Sequence, residues 1–268
     1  MGTIALMTDF GSYYPGVMRG VILGIDPDAK IVDITHSIKR GNIREGAFLL
    51  KDCIGYFPDG TIFVAVVDPG VGGDRAVLIV DCGSKVLVGP DNGLLIPAAK
   101  TMDYRVYRAV DERYFLKDVS KSFHGRDVFA PIAAHISKGV SIEDIGKPFD
   151  LFIDLELEKA IVCEYKIIGE VLFIDDFGNL ITSISGNLLR KGDRIKVKDR
   201  EMNLVSTYSD AKEGDLLAIA GSHGNLEISV NKGNAAEFLN FGEGDEVTVE
   251  LVGVIEKYKC NICDSEER

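Results

Sequence analysis

Thr61-Ile62-Phe63-Val64-Ala65-Val66-Val67-Asp68-Pro69-Gly70-Val71-Gly72-Gly73-Asp74-Arg75 runs without a break from apolar residues into a carboxylate, a proline and glycines. Residues 61–67 are far short of the roughly 20 apolar residues that a membrane-spanning helix needs, and they are rich in β-branched side chains. They read as a strand buried on both faces, the kind found in parallel sheets covered by helices. A carboxylate at the end of such a strand stands at the mouth of the crevice where open α/β sheets take their ligands. Pro69 fixes the turn, and Gly70, Gly72 and Gly73 let the backbone come close to a ligand. The plain alternative is a glycine turn capped by Asp68, with Arg75 on the surface.

Outward from this strand the first half of the chain alternates. Residues 3–7, 31–34 and 76–81 read as further strands, and residues 16–24, 43–54 and 127–137 as helices. The alternation predicts an N-terminal α/β domain over residues 1–155 with a central, largely parallel sheet. From residue 161 the character changes. Short β-like runs at 169–174, 180–184, 194–197, 216–219, 226–230 and 246–252 are separated by Gly, Asp and Asn turns. They predict a smaller C-terminal antiparallel β-barrel-like domain over residues 160–256, followed by a polar tail at 257–268. The acidic stretch 150–158 marks the boundary.

Composition narrows the function classes. A chain of 268 residues can hold two modest domains, and 46% hydrophobic with 27% charged residues is ordinary for a globular protein. The net charge of −12, with no basic cluster, argues against nucleic-acid and anionic-membrane partners. Residues 1–9 lack a basic n-region and read as a first strand rather than a signal peptide. Cys53, Cys82, Cys163, Cys260 and Cys263 are odd in number and mostly isolated, which points to a reducing, cytoplasmic compartment. Cys260 and Cys263 form a CxxC, but a structural zinc takes four ligands and no second pair exists, so no metal is expected.

Four further segments can carry chemistry. In Phe123-His124-Gly125-Arg126-Asp127, Gly125 allows close approach at a helix start, Asp127 suits the helix N-terminus, and His124 faces the crevice or merely caps the helix. Gly89-Pro90-Asp91-Asn92-Gly93 follows a strand and reads as a plain turn, with ligand contact by Asp91 or Asn92 as the second reading. Asp175-Asp176-Phe177-Gly178-Asn179 offers carboxylates for hydroxyls, an aromatic ring for stacking and an amide for base nitrogens. Gly221-Ser222-His223-Gly224-Asn225-Leu226-Glu227 packs polar side chains between apolar runs. Both of these also read as hairpin turns. Thr8-Asp9-Phe10-Gly11 echoes the 175–178 segment, each following an apolar strand. P-loop, GxGxxG, HExxH and GxSxG patterns are all missing from the sequence.

Taken in order, the segments around Asp9, Asp68, Asp91, His124, Asp176 and Ser222 resemble the S-adenosylmethionine hydroxide adenosyltransferases, the hydrolase branch of the fluorinase/chlorinase superfamily. The likeness runs from about residue 3 to residue 252. It implies attack of water or hydroxide on C5′ of S-adenosylmethionine, giving adenosine and L-methionine without metal or organic cofactor. It implies a catalytic set of Asp68, Arg75 and His124, with the base left open between Asp68 and His124. Asp9 would hold the ribose hydroxyls. Asn179, with Asp175 or Asp176, would meet the methionine part, and Ser222, His223 and Glu227 would line the other face. The resemblance also implies a homotrimer with active sites between subunits. Halogenases of the superfamily carry a hydroxyl residue at the place of Gly125 and an uncharged one at the place of Asp68, and fluorinases carry an extra loop after the first site motif. The resemblance therefore favours hydrolysis over halide transfer, with a non-catalytic adenosine or S-adenosylmethionine sensor as the remaining alternative. The second-domain motif has one residue fewer than in the halogenases, which leaves Asp175 and Asp176 both open.

Overall fold

The computed structural model describes residues 2–157, 160–163 and 165–252. The chain divides into two compact units, Met1–Leu155 and Glu156–Arg268. The first unit runs β1 (Thr3–Thr8), α1 (Tyr14–Ile25), β2 (Lys30–Thr35), α2 (Ile43–Cys53), β3 (Ile62–Val66), β4 (Val77–Asp81), β5 (Val86–Pro90), α3 (Ile96–Ala99), β6 (Arg105–Ala109), α4 (Ala130–Ser137), α5 (Ile142–Ile145) and β7 (Gly146–Pro148). Among the described residues these seven strands form one sheet in the order β2-β1-β3-β5-β4-β6-β7.

Four strands of this sheet, β2, β1, β3 and β5, are parallel. The remaining three, β4, β6 and β7, continue it in antiparallel fashion. The antiparallel part has a simple cause. The connections 67–76 and 82–85 are shorter than the dozen or so residues that a parallel crossover needs, so β4 must run back from the end where β3 finishes. Every residue of β3 is buried. Ile62, Val64 and Val66 share a core with Met18 and Ile22 of α1 and Ile132 and Ala133 of α4. Phe63 and Ala65 point to the opposite face, as strand alternation requires. Helix α2 starts where the Asn42 side chain accepts the Glu45 amide at 3.1 Å, an N-cap that supplies one of the bonds the first helical turn lacks.

The chain leaves β1 for β2 on one side and reaches β3 on the other. The carboxyl ends of β1 and β3 therefore flank a topological switch point, where such sheets bind ligands. Asp9 follows the first of these ends and Asp68 follows the second.

The second unit contains β8 (Ile161–Val162), β9 (Lys166–Ile174), β10 (Leu180–Ser185), β11 (Arg194–Val197), β12 (Arg200–Val205), β13 (Leu216–Ala220), β14 (Asn225–Val230), α6 (Ala235–Leu239) and β15 (Glu246–Val252). Among the described residues β9, β10, β14, β13, β12, β11 and β15 pair in that order, and β15 returns to β9, closing a barrel. All of these pairs are antiparallel except β12 with β13. Closure leaves those strands no open edge. Ile167, Leu180, Ile195, Ile228 and Val249 are among the residues of its core. Strand β12 has no counterpart in the sequence reading, because Arg200, Glu201 and Asn203 obscure the alternation and only Met202 and Leu204 are buried. The predicted tail at 257–268, with Cys260 and Cys263, lies outside the described residues. No helix among the described residues is long and apolar enough to cross a membrane.

Candidate active site

Asp68 stands just beyond β3 and Arg75 just before β4, and the turn between them folds one side chain onto the other. Arg75 Nε donates to Asp68 Oδ1 and Oδ2 at 3.0 and 2.9 Å, and its Nη2 donates to Oδ2 as well. The side chains are only 3% and 10% exposed, for Asp68 and Arg75 respectively, which excludes the plain reading of a surface arginine. The guanidinium lies 5.1 Å from the centroid of the Phe129 ring, a cation–π contact that fixes its plane. Arg75 Nη2 also meets His124 Nδ1 at 2.9 Å. A guanidinium can only donate, so Nδ1 is the acceptor and the neutral imidazole carries its proton on Nε2. The three residues that the sequence reading singled out thus form one hydrogen-bonded chain.

The backbone around them explains the approach. Gly72 has φ +77°, and a Cβ there would lie 2.1 Å from the carbonyl oxygen of Lys121. Only glycine fits, and its small size lets the loop that carries His124 close onto the Asp68 turn. Asn92 Nδ2 donates to the Val67 carbonyl at 2.8 Å, and Asp91 Oδ1 accepts the Ile153 amide at 2.8 Å. The 89–93 turn is therefore a brace for the end of β3, in line with its plain reading. Asp127 is fully buried. It accepts Arg126 Nε at 2.5 Å and Nη2 at 3.0 Å, and the Ser120 amide at 2.8 Å. Burial works against its charge, but these hydrogen bonds outweigh it and hold its carboxyl below the usual carboxylate range. The helix expected from Asp127 begins earlier, as a π-helical turn at Gly125–Phe129 that runs into α4. Such turns are frequent at functional sites.

Burial, together with the adjacent Arg75 guanidinium, lowers the His124 pKa from its ordinary 6.5, against the pull of the Asp68 and Asp127 carboxylates. Gly125, next in the chain, is packed tightly. A Cβ there would meet the Phe10 ring at 2.8 Å and the Met18 sulfur at 3.3 Å.

Asp9 is half-buried, and its Oδ2 accepts the Gly41 amide at 2.8 Å. The echo between residues 8–11 and 175–178 extends to one side-chain clasp, although the Gly11 amide goes to His36 and the Gly178 amide closes on Asp175. Thr8 Oγ1 accepts the Phe10 amide at 3.2 Å, and Asp175 Oδ1 accepts the Phe177 amide at 2.9 Å. Thr8 and Asp175 are the clasps, which makes Asp176 the counterpart of Asp9. Asp175 is further occupied by the Asn179 amide and by Asn179 Nδ2, both at 2.9 Å, whereas Asp176 is exposed.

In the second unit Phe177, Asn179, Tyr208, Val230 and residues 231–234 line a cavity of about 590 Å³. Glu227 does not open onto solvent. It is buried beneath Tyr208, whose hydroxyl donates to Oε1 at 2.5 Å, and Ser229 Oγ donates to the same oxygen at 2.7 Å. His223 Nε2 lies 3.8 Å from Oε2. Burial opposes the Glu227 charge, but hydrogen bonds from His223, Tyr208 and Ser229 prevail and its pKa falls below the ordinary value. Ser222 is exposed. Tyr208 was missed by sequence reasoning. It sits in a short polar helical turn, and nothing in its local sequence tells that it meets Glu227 on strand β14.

Two profiles of one family match this chain: the SAM hydroxide adenosyltransferase N-terminal domain over residues 4–146 and the C-terminal domain over residues 169–248. A protein of Salinispora tropica named (R)-S-adenosyl-L-methionine hydrolase is 35% identical over 253 residues, covering 92% of this chain and 97% of its own. A protein of the same name from Methanocaldococcus jannaschii is 36% identical over 265 residues, with coverages of 92% and 95%. A fluorinase of Nocardia brasiliensis is more distant, at 27% identity over 289 residues and coverages of 92% and 96%. Among solved structures, an uncharacterized conserved protein from Thermotoga maritima matches with a TM-score of 0.85 at 35% identity, covering 92% of this chain and 99% of that one. The profile matches span most of both units and the hydrolase-named relatives cover nearly the whole length, so the chain belongs to the SAM hydroxide adenosyltransferase family.

Proposed function

We propose that this chain hydrolyses S-adenosyl-L-methionine to adenosine and L-methionine by attack of hydroxide on C5′. The observation that carries the reading is the Asp68–Arg75–His124 chain. Asp68 balances the guanidinium charge and occupies Nε, while His124 Nδ1 is occupied by Arg75. What remains for a ligand is His124 Nε2–H and Arg75 Nη1, whose only described contact is a long one of 3.5 Å to the Ala76 carbonyl. Both groups are donors, and donors favour an oxygen carrying negative charge. The leaving group is a neutral thioether departing from a sulfonium, so no general acid is required. The difficulty lies with the nucleophile, which must be anionic and held in line behind C5′. In this reading His124 orients and stabilises hydroxide, Arg75 supplies charge, and Asp68 fixes Arg75. Hydroxide and sulfonium together yield the alcohol and the thioether, so charge and atoms balance without a metal or organic cofactor.

Asp9 would bind the ribose hydroxyls, since its Oδ1 is not used by the Gly41 amide. Phe177 and Tyr208 would hold the adenine. Asn179, whose Oδ1 is left over after its amide nitrogen pairs with Asp175, and the exposed Asp176 would meet the methionine part, while Ser222 and His223 would line the other face and Glu227 would act from beneath through Tyr208 and His223. We place these groups in sites between the subunits of a cytoplasmic homotrimer. The compartment rests on Cys53, Cys82 and Cys163, all free thiols, with burial pushing Cys53 up to about 11 and Cys82 up to about 12.

Halide transfer is disfavoured at Gly125, where a Cβ would lie 2.8 Å from the Phe10 ring, so a halide-binding side chain enters only if that ring shifts. Incubation with S-adenosyl-L-methionine should release adenosine, measured by chromatography, and should yield no 5′-chloro-5′-deoxyadenosine at high chloride. Adenosine release equal to that of an Asp68→Ala variant would refute the reading. Tight retention of adenosine with no turnover would favour the sensor.

A further inference from the structure

The turn that carries Asp9 is held by a second polar chain that the catalytic set does not use. Thr8, the last residue of β1, is fully buried. Its hydroxyl accepts the Phe10 amide, so its own proton is free to go to His36 Nδ1, 2.9 Å away. The carbonyl of the same His36 accepts the Gly11 amide at 2.9 Å. One residue thus fastens both ends of the 8–11 turn, one through its side chain and the other through its backbone. The His36 side chain is itself only 13% exposed, and its Nε2 lies 3.1 Å from Asp33 Oδ1, an ion-pair contact without hydrogen-bond geometry. Asp33, on β2, is gripped by Arg19 of α1, whose Nε donates to Oδ1 at 3.1 Å and whose Nη2 donates to Oδ2. The parallel pairing of β1 with β2 shifts register between Leu6 and Met7, and the pairing then sets Met7 against Thr35, next to His36.

We infer that His36 is a positioning residue for nucleoside binding: through Thr8 and Gly11 it sets the direction of the Asp9 carboxylate, and Asp33 with Arg19 sets His36. The inference rests on the reading of Asp9 as the ribose-binding group. Asp9 has one backbone anchor, the Gly41 amide, and an anchor at one oxygen leaves the carboxylate free to swing about it. A ribose diol needs both of its hydroxyls met by one carboxylate, so a small rotation of the turn loses a bidentate contact. Asp9 meets the ribose equally in ground and transition states, so its loss appears in binding and leaves the chemical step alone.

The test compares the affinities of the full-length protein for adenosine and for 2′,3′-dideoxyadenosine by calorimetry, together with kcat and KM for S-adenosyl-L-methionine. His36→Ala should weaken adenosine binding and raise KM by about tenfold, with kcat within about twofold, the pattern of lost uniform binding. Its affinity for the dideoxynucleoside should equal that of the wild type. His36→Asn, which keeps an acceptor near Thr8, should recover part of the loss. Asp33→Asn lies at the half-exposed end of the chain, where folding is not at risk, and should give a smaller loss with the same selectivity for the diol. Equal losses for both nucleosides, or no loss for adenosine, in His36→Ala and Asp33→Asn would overturn the inference while leaving the active-site reading intact. A wild-type protein that binds both nucleosides equally would overturn the role of Asp9, and the inference with it.

Discussion

In the proposed site, Asp68 and His124 would act through what they hold as much as through what they face. Removing Asp68 leaves the buried Arg75 charge without its partner, and breaking a buried pair in this way costs about 3–5 kcal/mol. Asp68→Ala should therefore abolish adenosine release and also lower the urea midpoint, and a variant that keeps both would contradict the arrangement. His124 yields a prediction in pH. Its folded-state pKa is depressed below 6.5, so the unfolded chain binds the proton more readily. The stability it contributes is fully present above pH 6.5 and is lost as pH falls through the lower, folded value. Protonation would also place a second donor on Nδ1 against the Arg75 donor. Activity should accordingly fall on the acid side of 6.5 with a one-proton slope, and a His124→Gln variant should lose that limb. Asp68 and His124 were legible as candidates from local pattern, a charge just after a buried strand and a histidine before a helix, whereas their grouping with Arg75 came only from the family resemblance. Tyr208 and His36 were not, because each is defined by a partner distant in sequence.

At the scale of elements, the approach of two connections decides the site. The 67–76 connection and the loop before the π-helical turn come together only because position 72 has no side chain. Gly72→Ala would require both an unfavourable positive φ, about 1–2 kcal/mol, and displacement of the Lys121 carbonyl. Activity should fall by about 100-fold or more, a change that a shift of about 1 Å in a reacting group can produce. Hydrogen exchange should report faster opening of residues 118–124 in this variant, whereas unchanged activity would mean that the loop does not depend on the turn. The parallel strands and the helices between them were readable from apolar runs of the right length. The antiparallel β4 was assigned as a strand without its direction, since direction depends on how far the connection travels. In the barrel, strands with clean apolar alternation were visible and β12 was not.

For the whole molecule, each unit has its own buried core, built on the two faces of a sheet in one and inside a closed barrel in the other. A homotrimer with sites between subunits predicts that light scattering gives three times 29.2 kDa, and that activity per chain falls on dilution below the assembly constant. An active monomer would remove that proposal. The sequence by itself determined the fold class, the change from α/β to β near residue 155, and the identity of the charged residues at strand ends. These are set by local pattern: apolar period, run length and turn chemistry act between neighbours in the chain. Only the tertiary structure decided that Arg75 bridges Asp68 and His124, that the imidazole proton sits on Nε2, that Asp175 is a clasp while Asp176 is exposed, and that Glu227 lies beneath Tyr208. Each of these is a hydrogen bond whose partner is chosen by packing, and burial makes an unmatched polar group too costly to leave.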